Sequence, residues 1–179
     1  AISGKTKITF TPDAPALGYK VYCLQHSKLK NTVSESEETS IENEFYRVTV
    51  DKNKGGGIVS VYDKKVKREI IDSGNGAIGA VYALKELRNR METQHEFYTT
   101  GEKLSSAEST ARVKRKRDKR EDKLIIKSNM GILCVLKQEI TLTKGVKRID
   151  IKLTIENYTG DDHLFTYNLP VNIKGGKAV

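Results

Sequence analysis

The stretch KRIDIKLTIEN, residues 147–157, decides the fold class. Ile149, Ile151, Leu153 and Ile155 alternate with Asp150, Lys152 and Thr154, and a period of two puts all four apolar side chains on one face of an extended strand. One apolar and one polar face is the signature of a half-buried strand in an antiparallel sheet. Just upstream, ILCVLKQEITL (132–142) keeps the period through Ile132, Cys134, Leu136, Ile140 and Leu142. Lys144 and Gly145, between the two runs, supply a hairpin turn.

Further outward, FYRVTV (45–50) and IVSVYD (58–63) flank DKNKGGG (51–57). Asp51, Asn53 and the glycines Gly55, Gly56 and Gly57 tolerate the positive φ of a tight connection, so a second hairpin is expected. DSGNGAIG (72–79) is another turn signal, and AVYALKEL (80–87) after it fits either a strand or a helical turn. KITF (7–10) and GYKVYCL (18–24) are two more expected strands, joined by TPDAPAL (11–17), where Pro12 and Pro15 forbid a helix. KNTVSESEETS (30–40) is polar, acidic and without apolar periodicity, the composition of a linker or long surface loop, which puts a boundary near residues 30 to 40. No fixed-period repeat and no long amphipathic helix is visible. The expected architecture is all-β: an antiparallel β-sandwich.

At 179 residues, with 37% hydrophobic and 31% charged residues, the chain can bury a sizeable core and is too apolar for wholesale disorder. No run is long and apolar enough for a membrane helix, and AISGKTKITF is not a signal peptide, so a soluble protein is expected. The chain starts without Met and stops right after a strand-like run, which suggests a fragment. Cys23 and Cys134 stand far apart in apolar runs and form no C-x-x-C pattern; two buried, reduced thiols in a cytoplasmic protein are expected. The net charge of +9 raises the question of an anionic partner. Much of that charge lies in ARVKRKRDKREDK (111–123), but Asp118, Glu121 and Asp122 interrupt it, and mixed signs between strand patterns point to a solvated strand pair or hairpin tip.

Motifs for chemistry are missing. His26, His95 and His163 are isolated, with no metal-ligand spacing, and no G-x-S-x-G nucleophile appears. The triple glycine leads into a strand and not a helix, which marks turn glycines and not a phosphate loop. No pair of carboxylates can be nominated for glycoside cleavage. HEFYTTGE (95–102) sets aromatic rings beside hydrogen-bonding groups; that could stack on a sugar, but its commoner meaning is a strand edge with Phe97 in the core.

IENEFYRVTVDKNKGGGIVSVYDKKVKREIID (41–72) resembles the opening strands of the large β-sandwich of glycoside hydrolase family 38. The likeness is carried by Glu42, Asn43, Tyr46, Val48, Val50, Asp51, Gly56, Gly57, Ile58, Ser60, Tyr62, Asp63, Lys64, Arg68 and Glu69. DAPALGYKVYCL (13–24) is similar to the strand closing the small domain before that sandwich, and residues 137–173 to its later strands; residues 74–127 are only loosely similar. The resemblance implies a galactose-mutarotase-like (supersandwich) fold, partial here. Residues 1–33 would be the end of a preceding small β domain plus linker, and 34–179 the first part of the large β-sandwich domain. It further implies a bacterial-type, zinc-dependent, retaining α-mannosidase whose nucleophile and zinc ligands lie in an upstream catalytic domain. No catalytic residue or metal ligand is therefore expected in this chain, which alone should be inactive. Its partner would be that catalytic domain of the same polypeptide, and through it an α-mannoside, with no nucleic acid, no membrane and the oligomeric state open. Tyr98, His95, Tyr62 and Asp63, in HEFYTTGE and the VYDKK turn, are the residues expected to reach toward carbohydrate. Two other function classes compete: a stand-alone carbohydrate-binding module, disfavoured by the absence of Trp, and an anion- or nucleic-acid-binding domain using the basic run at 112–123.

Overall fold

The computed structural model describes residues 8, 10, 12–24, 32–71, 78–87 and 98–172. The chain divides into two compact units, residues 1–30 and 31–179. In the first unit the described residues form no strand. Gly18 N donates to Pro15 O at 3.1 Å, closing a turn in which Leu17 has φ 58°. The strand expected in GYKVYCL is thus absent, while Lys7 and Thr9 of the strand expected in KITF lie outside the described residues. Alternation selects a face, but a strand also needs a hydrogen-bonded neighbour, and none of the described residues pairs with GYKVYCL. Cys23 is exposed, contrary to the expectation of burial.

The second unit is antiparallel throughout. Its strands are β1 (Ser34–Ser36), β2 (Ser40–Glu42), β3 (Tyr46–Asp51), β4 (Gly57–Asp63), β5 (Arg68–Glu69), β6 (Ala80–Glu86), β7 (Thr99–Ser105), β8 (Ala111–Arg117), β9 (Glu121–Met130), β10 (Cys134–Thr143), β11 (Ile149–Glu156) and β12 (His163–Asn168). Among the described residues there is no α-helix; Lys52–Lys54 and Ser106–Glu108 are single 3-10 turns. One layer is a five-stranded sheet ordered β1-β8-β9-β10-β11. Across from it lie a four-stranded sheet, β2-β3-β4-β5, and a three-stranded sheet, β12-β6-β7, stitched by the bridges Ile58–Gly79 and Ile71–Val171.

Two apolar clusters join the layers and make this a β-sandwich. In the larger, Ile41, Val48, Val50, Ile58 and Val61 meet Val113, Leu124, Ile126, Ile140 and Leu142. In the smaller, Val81 and Ala83 of β6 meet Met130, Leu133, Cys134 and Leu136. β9 and β10 alternate buried and half-exposed residues almost perfectly, as a strand with one face on a core must. AVYALKEL resolves as strand: β6 sits between β12 and β7, and its Ala80, Val81 and Ala83 are buried.

Ile132 departs from expectation, being 98% exposed. Gly131, at φ 54°, turns the chain between β9 and β10, so the apolar period begins only at Cys134. The acidic stretch KNTVSESEETS also departs, because Ser34–Ser36 pairs with β8 as an edge strand. β11 is the edge at the other end of the same sheet, and Ile151 and Ile155 on its apolar face stay 37% exposed.

Candidate functional site

The polar residues of the 41–72 stretch converge where the two layers meet. Asn43, in the turn between β2 and β3, accepts at Oδ1 from Phe45 N (2.9 Å) and Tyr46 N (2.8 Å). Its Nδ2 donates to Thr143 O (3.0 Å) and Val146 O (3.2 Å), so one side chain fastens the β10–β11 connection to the opposite layer. Glu44 Oε2 accepts from Gly145 N at 3.2 Å, a second fastening on the same connection. Lys64 Nζ donates to Asn43 O at 2.6 Å and pairs with Glu42 at 3.0 Å.

Turn chemistry accounts for the rest of the stretch. Asp63, 6% exposed, accepts at Oδ1 from Lys65 N (2.8 Å) and Val66 N (3.1 Å), the side-chain cap that reverses the chain toward β5. Glu69 accepts from Ser60 Oγ (2.7 Å), Val61 N (2.6 Å) and Ile71 N (3.3 Å), tying β5 to β4 where the strands diverge. Gly56, at φ 72°, lies so close to the core that a Cβ there would stand 2.2 Å from Ile126 Cγ2.

An open cleft of about 560 Å³ lies beside this junction, lined by Glu42, Asn43, Glu44, Lys64, the Arg117–Asp122 hairpin tip, Leu142 and Lys144. Three of its carboxyl groups, Glu42, Glu44 and Asp118, are held ionised. Lys64 and then Arg47 hold Glu42 below the ordinary carboxylate range, while backbone N–H donors do the same for Glu44 and Asp118. Outside the cleft, Asp63 is lowered by the Val66 N–H. A glycosidase acid needs the opposite shift, a carboxyl kept protonated near neutrality.

The residues expected to reach carbohydrate are not one cluster. Tyr62 is half-buried on β4 of the four-stranded sheet, opposite Glu69, and Asp63 next to it is committed to its turn. Tyr98 is 49% exposed and immediately precedes the edge strand β7, in the other sheet of that layer. His95 lies outside the described residues, as does Phe97 with its expected core position.

The basic run forms the β8–β9 hairpin, whose tip is capped by Asp118 accepting from Arg120 N and Glu121 N. Arg115 grips Asp122 through two bonds, Nε–Oδ1 at 2.8 Å and a terminal nitrogen to Oδ2 at 2.6 Å, and also contacts Glu38. Lys116 pairs with Glu35 at 2.7 Å. Sequence reading missed this partnership of the acidic stretch with the basic run; its signal was the charge complementarity of two polar segments about eighty residues apart.

Among the described residues no three His, Cys, Asp or Glu converge as metal ligands, and His163 Nδ1 is engaged with Tyr158 Oη at 3.0 Å. These residues do not fit a zinc site. No described helix is long and apolar enough to cross a membrane. Comparison with curated proteins gives no match. Comparison with family models matches residues 41–179 to the glycosyl hydrolases family 38 C-terminal domain. That span begins at Ile41, the first core residue of β2, and takes in both apolar clusters. The chain belongs to glycoside hydrolase family 38, as part of its C-terminal β-sandwich region.

Proposed function

We propose that this chain is a non-catalytic β-sandwich segment of an α-mannosidase, supporting hydrolysis of terminal α-mannosides by a zinc-dependent catalytic domain elsewhere in the polypeptide. The observation that carries this reading is the use of the motif residues. Asn43, Asp63 and Glu69 spend their polar atoms on backbone groups of the sandwich itself, which is the work of fold-specifying residues and not of a reacting pair. The downward shifts of Glu42, Glu44 and Asp118 support it, because none of these three is poised as a proton donor.

On this reading the sandwich serves catalysis by packing against the catalytic domain and presenting a contact toward the substrate cleft, with Tyr98 and Tyr62 as the rings for it. A cytoplasmic location is part of the proposal; two unpaired cysteines suit a reducing compartment. The test is turnover of an aryl α-mannoside by the chain alone and by the intact polypeptide, with Tyr98→Ala and Tyr62→Ala in the latter. The expected result is no turnover by the chain, turnover by the intact polypeptide, and a raised KM in at least one variant. Turnover by the isolated chain would overturn the non-catalytic reading, and an unchanged KM in both variants would remove the contact.

A further inference from the structure

The outward face of the five-stranded sheet carries a charge pattern that the fold itself does not need. On β8, Ala111 and Val113 point into the core, so Arg112, Lys114 and Lys116 point out. The register sets Arg112 directly opposite Lys127 on β9, and Lys127 directly opposite Lys137 on β10. Lys116 likewise faces Lys123. Cross-strand neighbours have Cβ atoms about 4.5–5.5 Å apart, and like charges there destabilise the sheet.

Local acids offset only part of this. Lys127 reaches Glu156 at 3.5 Å, Lys137 reaches Glu139 at 3.1 Å, and Lys123 reaches Glu121 at 3.0 Å. Arg112 and Lys114 find no acid at ion-pair distance among the described residues. Glu139 is held ionised, below its ordinary range, by Lys137 first and then by Lys123 and Lys152, so three lysines surround the one acid on the outward side of β10. Its side chains include no aromatic ring, which argues against stacking on nucleic-acid bases. The chain also shows which chemistry answers this charge. The acidic stretch around β1 lies along β8 in extended form, with Glu35 on Lys116.

We propose that the outer face of the five-stranded sheet is a docking surface for an acidic, extended polypeptide segment, whose carboxylates seat on the row Arg112, Lys127 and Lys137 as Glu35 seats on Lys116. The like-charge row is then retained for the partner at the expense of the sheet.

The test is fluorescence anisotropy of a labelled oligoglutamate peptide titrated with the purified chain at low and high salt. Binding should weaken with salt, and the double substitution Arg112→Glu with Lys127→Glu should weaken it by about tenfold. The neutral double substitution Arg112→Gln with Lys127→Gln removes the cross-strand repulsion and should leave the melting temperature unchanged or raise it. Lys119→Glu with Lys144→Glu, away from this face, should change affinity by less than about twofold. If the Glu variant fails to fold, Arg112→Gln with Lys127→Gln gives the same comparison with a smaller loss. No peptide binding, or an equal loss in the Lys119 and Lys144 variant, would overturn the proposal. So would tighter, Arg112-dependent binding of a duplex oligonucleotide, which would assign the face to nucleic acid.

Discussion

Removing the Asn43 side chain is expected to loosen the junction between the layers without touching the apolar core. Asn43→Ala deletes four hydrogen bonds, two received from Phe45 N and Tyr46 N and two given to Thr143 O and Val146 O. At about 0.5–1.5 kcal/mol each the loss spans about 2–6 kcal/mol. The site is only part-buried, so water replaces some of these bonds, and the lower end, about 2–3 kcal/mol, is expected. For a chain of this size that corresponds to a drop of about 4–12 °C in Tm. Urea unfolding followed by far-UV circular dichroism measures it, with an unchanged m-value showing that the unfolded state is unaltered. Asn43→Asp separates the two halves of the role: it keeps the acceptor but sets a carboxylate against two carbonyls, so it should lose nearly as much. An Ala variant within about 0.5 kcal/mol of the parent, or an Asp variant equal to it, would refute the clamp.

Other perturbations probe neighbouring parts of the junction. Gly56→Ala forces a Cβ to within 2.2 Å of Ile126 Cγ2 at φ 72°, so a loss of about 2–4 kcal/mol is expected in the same unfolding assay. Arg115→Ala strands Asp122, whose side chain is 5% exposed, and should cost about 3–5 kcal/mol. Tyr167 is half-buried against the core and pushed up to about 12 from its ordinary value of 10.0, by loss of solvation first. Its neutral form is favoured in the folded state, so the stability tied to it is complete below pH 10 and is lost as pH rises through about 12. Tyr167→Phe should remove that part of the alkaline loss, as read from unfolding free energies across the same range.

Much of the sandwich can be read in the one-dimensional pattern because β9 and β10 each bury one face and β11 packs Ile149 and Leu153 against the same core. β10, β11 and the β3–β4 hairpin follow from alternation and from glycines at positive φ. Alternation fails where pairing and not burial makes the strand. Ser34–Ser36 has no apolar residue, yet it is held by the β8 backbone and by the Glu35–Lys116 pair. GYKVYCL shows the converse, an alternating pattern with no neighbour to pair with among the described residues. Ile132 was misplaced because one glycine turn shifts the phase of an apolar run. At the junction, the motif residues stood out in sequence, but their partners did not. Asn43 bonds to carbonyls about a hundred residues away, a distance that only the layer packing closes.

The sharpest discrimination between framework and chemistry comes from isosteric amides in the intact polypeptide. Asp63→Asn and Glu69→Gln keep the oxygen that accepts from the Lys65, Val66, Val61 and Ile71 amides while removing the charge that a reacting carboxylate would need. Aryl α-mannoside kcat/KM should stay within about twofold of the parent in both variants. A drop of about a hundredfold or more at unchanged Tm would mean that these carboxylates take part in the reaction, and the framework role assigned to them would be wrong.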